Sequence, residues 1–202
     1  MRTVLAVLLL ALVVAGVLLA IAFSGGYNVA ATQPDGPLTR WTLSTIADRS
    51  IGRHAREVGA MPDLDSAALV RGLDHFHAMC VDCHGAPGFE RNEVGEGLSP
   101  AAPDLSEVVE AGEWSDAELF WIVKNGIKMT GMPAFGPTHG DGDLWSIVAI
   151  VKQLPELSDA EYGTRIAELR ASAAPREDGM TEGPMSPARV HVHEDGREHT
   201  HE

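Results

Sequence analysis

The sequence predicts an all-α protein, and three observations support this fold class. Two Ser-x-x-Glu capping boxes, beginning at Ser115 and Ser158, mark helix starts. No stretch alternates apolar and polar residues over the length of a strand. The 20 residues at positions 4–23 are all apolar or glycine, which predicts one long helix near the start of the chain.

This apolar run predicts a transmembrane anchor at residues 1–24. A helix of this length spans about 30 Å, the thickness of the hydrocarbon core of a bilayer. The apolar region of a cleaved signal peptide is shorter, about 7–15 residues, so cleavage after Ala31 is the alternative. Arg2 precedes the run and the next basic residue is Arg40. The positive-inside rule therefore predicts a cytoplasmic N-terminus and a chain exported to the periplasmic side of the cytoplasmic membrane.

The rest of the chain divides by composition. Residues 25–58 read as a juxtamembrane linker followed by an amphipathic helix at 39–58, and residues 59–157 as the main helical domain. Residues 158–170 predict a short helix. Residues 171–202 are rich in Pro, Gly, charge and His and predict a disordered tail.

Inside the main domain, three helix starts are expected. Asp65 or Ser66 caps a helix that runs to about Cys80, and Ser115 caps a second one. Asp141 opens a third, which ends before Pro155. These helices supply the apolar faces that a core requires.

The charge balance excludes one class of function. The formal net charge is −14, and residues 59–155 hold 5 basic against 15 acidic residues. A protein that binds nucleic acid needs a stripe of Lys and Arg for the phosphates, which this chain lacks.

Cys80-Val-Asp-Cys83-His84 is a C-x-x-C-H motif, the attachment signature of c-type haem. One helical turn separates the thiols, so both can add to the two vinyl groups on one edge of a porphyrin, with His84 as the proximal iron ligand. A zinc site would need further ligands, and the chain has only 2 cysteines. A redox dithiol would need a βαβ context, which the pattern lacks. We therefore expect one covalent haem c.

The second iron ligand is expected at Met132, which lies 48 residues after His84 in a Gly/Pro-rich loop. A thioether on such a loop can reach a haem, although a lone Met more often fills a gap in a core. Met129 is the alternative by proximity and His139 by chemistry.

Residues 66–154 resemble the class I c-type cytochromes. Gly72 and Phe76 precede the C-x-x-C-H motif, Met132 is followed by proline, and the last helix carries Trp145. The resemblance implies crossed helices around one covalent haem, with Gly72 beside Trp145.

The same resemblance implies particular site residues. It selects Met132 over Met129 as the iron ligand. It also assigns Pro103, in a Pro-x-Leu string, as the carbonyl that accepts from Nδ1 of His84. The long acidic loop at 85–102 departs from the family pattern.

We expect an electron carrier and not an enzyme, because two protein ligands leave no iron position for a substrate. The alternatives are a haem subunit of a dehydrogenase or oxidase complex, or a small haem peroxidase. The acidic domain predicts redox partners with a basic docking surface.

The C-terminal tail suggests a weak second metal site. Two His-x-His pairs, His191 with His193 and His199 with His201, carry imidazoles that suit Cu, Ni or Zn. The alternative is a solvated polar tail without a fixed partner.

Overall fold

The computed structural model describes residues 2–173, 191–192 and 198–199. Helices dominate this part of the chain, which confirms the all-α prediction. The α-helices are α1 (Arg2–Ser24), α2 (Pro37–His54), α3 (Ser66–Met79), α4 (Val81–His84), α5 (Glu93–Glu96), α6 (Leu105–Ala111), α7 (Asp116–Asn125), α8 (Asp141–Gln153) and α9 (Asp159–Ala173). Short 3₁₀ turns follow α2 at Ala55–Glu57 and α8 at Leu154–Glu156.

Helix α1 contains no buried residue. Within the described residues it is the one helix long and apolar enough to cross a membrane. Its apolar surface fits the predicted transmembrane anchor.

The expected capping residues begin three of the helices. Asp65 accepts from the backbone N–H of Ala68 at 2.7 Å at the start of α3. Ser115 and Glu118 form a reciprocal capping box at α7. At α9, the N–H of Glu161 donates to the Ser158 hydroxyl at 3.3 Å, and the N–H of Ser158 donates to the Glu161 carboxylate at 2.9 Å. These side chains satisfy N–H groups that the first helical turn leaves unpaired.

Other boundaries differ from the expectation. Helices α5 and α6 begin at Asn92 and Asp104 caps that the periodicity did not reveal, because each helix has seven residues or fewer. Helix α8 starts at Asp141, as expected, whereas α9 extends to Ala173, three residues beyond its expected end.

Helices α3 and α8 cross at Gly72. A Cβ added to Gly72 would overlap the backbone of Ser146, so the absence of a side chain permits the close approach. The expected neighbour was Trp145, but the nearest atoms belong to Ser146 and the Trp145 ring stacks on Phe120 at 4.2 Å. Phe76, one turn after Gly72, is fully buried in the core.

Helix α9 adds two buried side chains to this core, Tyr162 and Ile166. The Tyr162 hydroxyl lies 3.2 Å from Nδ1 of His77 on α3. Burial raises the pKa of Tyr162 above its ordinary value. The core therefore continues beyond α8.

Residues 170–202 form a separate unit. In it, β1 (His191–Val192) pairs antiparallel with β2 (Glu198–His199), with His191 opposite His199. Backbone pairing over two residues needs no apolar alternation, so a segment this short can form within the polar tail expected at 171–202. Residues 174–190, 193–197 and 200–202 lie outside the described part, so the expectation of disorder stays a prediction there.

We expect Gly72→Ala to lower the free energy of unfolding by about 1–3 kcal/mol, because the added methyl group must push α3 away from α8. Gly163→Ala is the matched control, since it lies in α9 with nothing within 4 Å of an added Cβ. That control should be neutral or more stable by up to about 1 kcal/mol, because Ala favours a helix over Gly. Chemical denaturation followed by circular dichroism measures both, and equal stability of the two variants would contradict the close crossing.

Candidate haem-binding site

The C-x-x-C-H motif occupies the corner between α3 and α4. Cys80 ends α3, and its carbonyl oxygen accepts from the backbone N–H groups of Cys83 at 3.2 Å and His84 at 2.9 Å. The motif is therefore a single helical turn. Both thiols are free, with Cys80 buried and Cys83 half-buried. Burial, assisted by the neighbouring Cys83, raises the pKa of Cys80 to about 12, which keeps this thiol protonated.

A backbone carbonyl orients the imidazole of His84. Nδ1 of His84 lies 2.8 Å from the Pro103 oxygen, so Nδ1 carries the proton and donates it to that carbonyl. This tautomer leaves the lone pair of Nε2 available to a metal. Burial lowers the pKa of His84, and the bond to Pro103 opposes that effect.

Arg91 fixes the segment that carries Pro103. Its Nη1 donates to the Ala102 oxygen at 2.8 Å, and its side chain is only 25% exposed. This bond joins two parts of the acidic loop and holds Ala102, the residue directly before Pro103. Arg91 therefore acts on His84 through the position of the carbonyl.

The Met132 loop is attached to the C-terminal end of α7. The N–H of Phe135 donates to the carbonyl oxygen of Val123 at 3.1 Å, and the N–H of Ile127 donates to the carbonyl oxygen of Met132 at 3.2 Å. The Thr130 hydroxyl accepts from the N–H of Met132 at 3.1 Å. Helix-end carbonyls and N–H groups thus define the course of this loop.

Gly126 lies at the turn between the end of α7 and the Met132 loop. Its φ is +64°, a region that L side chains rarely adopt. A Cβ there would lie 2.7 Å from the Met132 oxygen and 2.8 Å from the Ala134 nitrogen. Gly126 therefore sets how closely the loop approaches α7.

All five expected haem-domain residues line one cavity, with a volume of about 1210 Å³ including its open mouth. Its other walls are mostly apolar and come from α3, α6, α7, α8 and the intervening loops. They are Met79, Leu98, Pro100, Ala101, Ala102, Leu105, Trp114, Leu119, Ile122, Val123, Ile127, Thr130, Gly131, Pro133, Phe135, Ile147, Val148 and Val151. The thiols, the imidazole and the thioether on the walls of this apolar cavity are suited to hold a flat apolar macrocycle.

The alternative ligands do not line this cavity. Met129 is 87% exposed, and its φ of +61° turns the chain between α7 and Met132. The ring of His139 contacts His75 at 5.0 Å and Phe135 at 5.8 Å. Both residues therefore lie outside the cavity wall.

The tail histidines remain a prediction as a metal site. His191 and His199 belong to the separate C-terminal unit, and His193 and His201 lie outside the described residues. No group of three or more potential metal ligands occurs in the described part of the chain.

Sequence reasoning missed three residues that position the site, Arg91, Gly126 and Thr130. A signal existed for Gly126, because a glycine directly after a helical pattern is a common helix stop. The bond from Arg91 to Ala102 has no pattern in the sequence, since it depends on how the loop folds back.

The helix crossing, the C-x-x-C-H turn and the apolar cavity are the features of a c-type cytochrome domain, and such a domain implies haem c as cofactor. Residues 67–150 match a family model described as cytochrome C oxidase, cbb3-type, subunit III. This segment includes Cys80, His84, Pro103 and Met132. No curated protein matches the chain.

Gly126→Ala should displace the Met132 loop, because a Cβ at this position meets the backbone of Met132, Pro133 and Ala134. We expect the weak long-wavelength absorption band of methionine-ligated ferric haem to shrink. Gly112→Ala is the matched control, since Gly112 also has positive φ, +62°, but nothing within 4 Å. It should lose stability by about 1 kcal/mol while keeping the band. Equal loss of the band in both variants would show that backbone strain alone accounts for the effect.

Proposed function

We propose that this protein is a membrane-anchored monohaem c-type cytochrome that transfers single electrons between exported or membrane-bound redox partners. The observation that carries the proposal is the convergence of Cys80, Cys83, His84 and Met132 on one apolar cavity. A haem bound in it supplies an iron that alternates between the ferrous and ferric states.

Residues of this chain attach the haem, orient the histidine and supply the second iron ligand. Cys80 and Cys83 attach the porphyrin edge covalently, and the Pro103 carbonyl keeps His84 in the tautomer that binds iron through Nε2. Met132 would be the second protein ligand of the iron, and a thioether ligand raises the reduction potential. With two protein ligands, the iron would have no position left for a substrate, which favours a carrier over an enzyme.

The proposed location follows from the first helix. We place α1 across the cytoplasmic membrane with Arg2 on the cytoplasmic side and the haem domain in the periplasm. The anchor confines the carrier to the membrane surface, which suits exchange with membrane-bound partners.

A role as the haem subunit of an oxidase complex is the second candidate, and the family match at residues 67–150 favours it. The chemistry of the chain is the same in both cases. Extraction in mild detergent distinguishes them, because a subunit co-purifies with fixed partners. A peroxidase would need an open iron position, which Met132 ligation removes.

Met132→Ala should abolish the methionine–iron band and lower the reduction potential, because the thioether that stabilises the ferrous state is lost. Met129→Ala is the control and should change neither quantity, since Met129 is exposed away from the cavity. Redox titration with optical spectroscopy measures both. The reverse behaviour of the two variants would assign the ligand to Met129.

The rate of electron transfer with the physiological partner should fall as ionic strength rises through about 0.1 M, where the Debye length is about 10 Å. The reason is the excess of acidic residues, 15 against 5 basic ones at positions 59–155, which attracts a basic surface. Stopped-flow kinetics over a salt series measures this. A rate that increases with salt would indicate an acidic partner surface.

A further inference from the structure

Helix α2 has two halves with different environments. Its last turn packs on the haem domain, where Ile51 is buried and the His54 ring stacks on Trp121 of α7 at 5.5 Å. Its first half is exposed, with Leu38 and Trp41 at 74% and 64% exposure. The first half of α2 thus carries exposed apolar side chains, while the other end of the helix is attached to the haem domain.

The exposed half presents its apolar side chains toward one side. At about 100° per residue, Leu38, Trp41 and Ile46 fall within an arc of about 140°. Ile51, which is buried, lies outside this arc and on the opposite side. In the first half of α2 these three side chains therefore lie on the side opposite Ile51, while nearer the end of the helix the same face approaches Glu118 of α7, which is 3.2 Å from a Cβ added to Gly52.

Arginines continue the same face. The spacing of Arg49, Arg53 and Arg56 is four and then three residues, which places them in one row that overlaps the apolar arc. Within residues 2–173, none of the three forms a salt bridge. Positions 37–58 hold 4 arginines against 2 acidic residues, in a chain whose net charge is −14.

A short connection joins this face to the anchor. The end of α1 at Ser24 and the start of α2 at Pro37 are separated by the 12 residues 25–36. Fully extended, they span at most about 40 Å, and a flexible chain of this length spans about 20 Å on average. A bilayer crossed by α1 is therefore within reach of α2.

We propose that α2 binds the surface of the anionic bilayer that α1 spans. Leu38, Trp41 and Ile46 enter the interface between headgroups and acyl chains, and the arginine row contacts anionic headgroups. A helix with apolar and basic residues on one face is suited to this position, and Trp prefers that depth. The proposal rests on the proposed anchoring by α1.

Lipid binding by α2 would orient the haem domain. Helix α2 packs on α7, and Leu119, Ile122 and Val123 of α7 line the haem cavity. The tilt of α2 on the bilayer is thereby transmitted to the haem cavity. The contact selects which side of the domain faces a membrane-bound partner.

The test uses the full-length holoprotein in vesicles of phosphatidylcholine and phosphatidylglycerol that contain phosphatidylglycerol with a photoreactive acyl chain. After illumination, mass spectrometry locates the labelled residues. We expect label in α1 and at residues 37–46, and none on the α3 peptide that contains Val70. Val70 is the internal reference because it is an exposed apolar residue of the haem domain, with 53% exposure.

Variants test the role of the arginines. Arg49→Gln and Arg53→Gln should each reduce the label on residues 37–46 by up to about fivefold while leaving α1 labelled. Val70→Ser should change nothing. Vesicles of phosphatidylcholine without phosphatidylglycerol, with the photoreactive acyl chain carried by phosphatidylcholine, should give the result of the arginine variants.

The outcomes separate the two proposals. Label in α1 without label in α2 would overturn lipid binding by α2, leave the anchor standing and indicate an acidic protein as the partner of this face. Absence of label in both helices would overturn the anchor together with this inference. Equal labelling of α2 and the Val70 peptide would show non-specific contact and overturn the inference.

Discussion

The close crossing of α3 and α8 is the packing constraint on which the haem site depends. Gly72 lets the backbone of α3 reach Ser146, so that both helices contribute to the same core. Cys80 follows on α3, while Ile147, Val148 and Val151 of α8 form the facing wall of the cavity. Because interiors are close-packed, one methyl group at the crossing would move the thiol relative to that wall. Gly72 thereby sets the distance between Cys80 and the cavity wall formed by α8.

The ligand side chains are positioned mainly by backbone carbonyls and N–H groups. His84 is held by the carbonyl of Pro103, and the carbonyl of Met132 accepts from the N–H of Ile127, two residues after the end of α7. Such bonds are insensitive to the surface charge of the domain, which is strongly acidic. The electrostatic character of the surface and the geometry of the proposed iron ligands can therefore change independently, which suits the proposed carrier, since it must recognise partners without altering its redox centre.

The sequence predicted those features that depend on local chemistry. The capping serines, Ser115 and Ser158, and the C-x-x-C-H turn are visible because each is complete within five residues. Contacts between distant segments were less predictable. Trp145 was expected beside Gly72, but adjacent helical residues point about 100° apart, and a pattern does not decide which of two neighbours meets the crossing helix. Arg91 and Ala102 are both in an irregular loop, where no periodicity constrains a contact.

The separation of Gly72 and Ser146 also has a consequence for the order of events during biosynthesis. A chain synthesised from its N-terminus presents the C-x-x-C-H turn before α8. The crossing closes a loop of more than seventy residues, and long-range contacts of this kind form slowly. For that interval the wall supplied by α8 is absent, and Cys80, which is buried in the completed domain, is open to solvent. The thiols are therefore most accessible to the machinery that attaches a cofactor before the domain has finished folding.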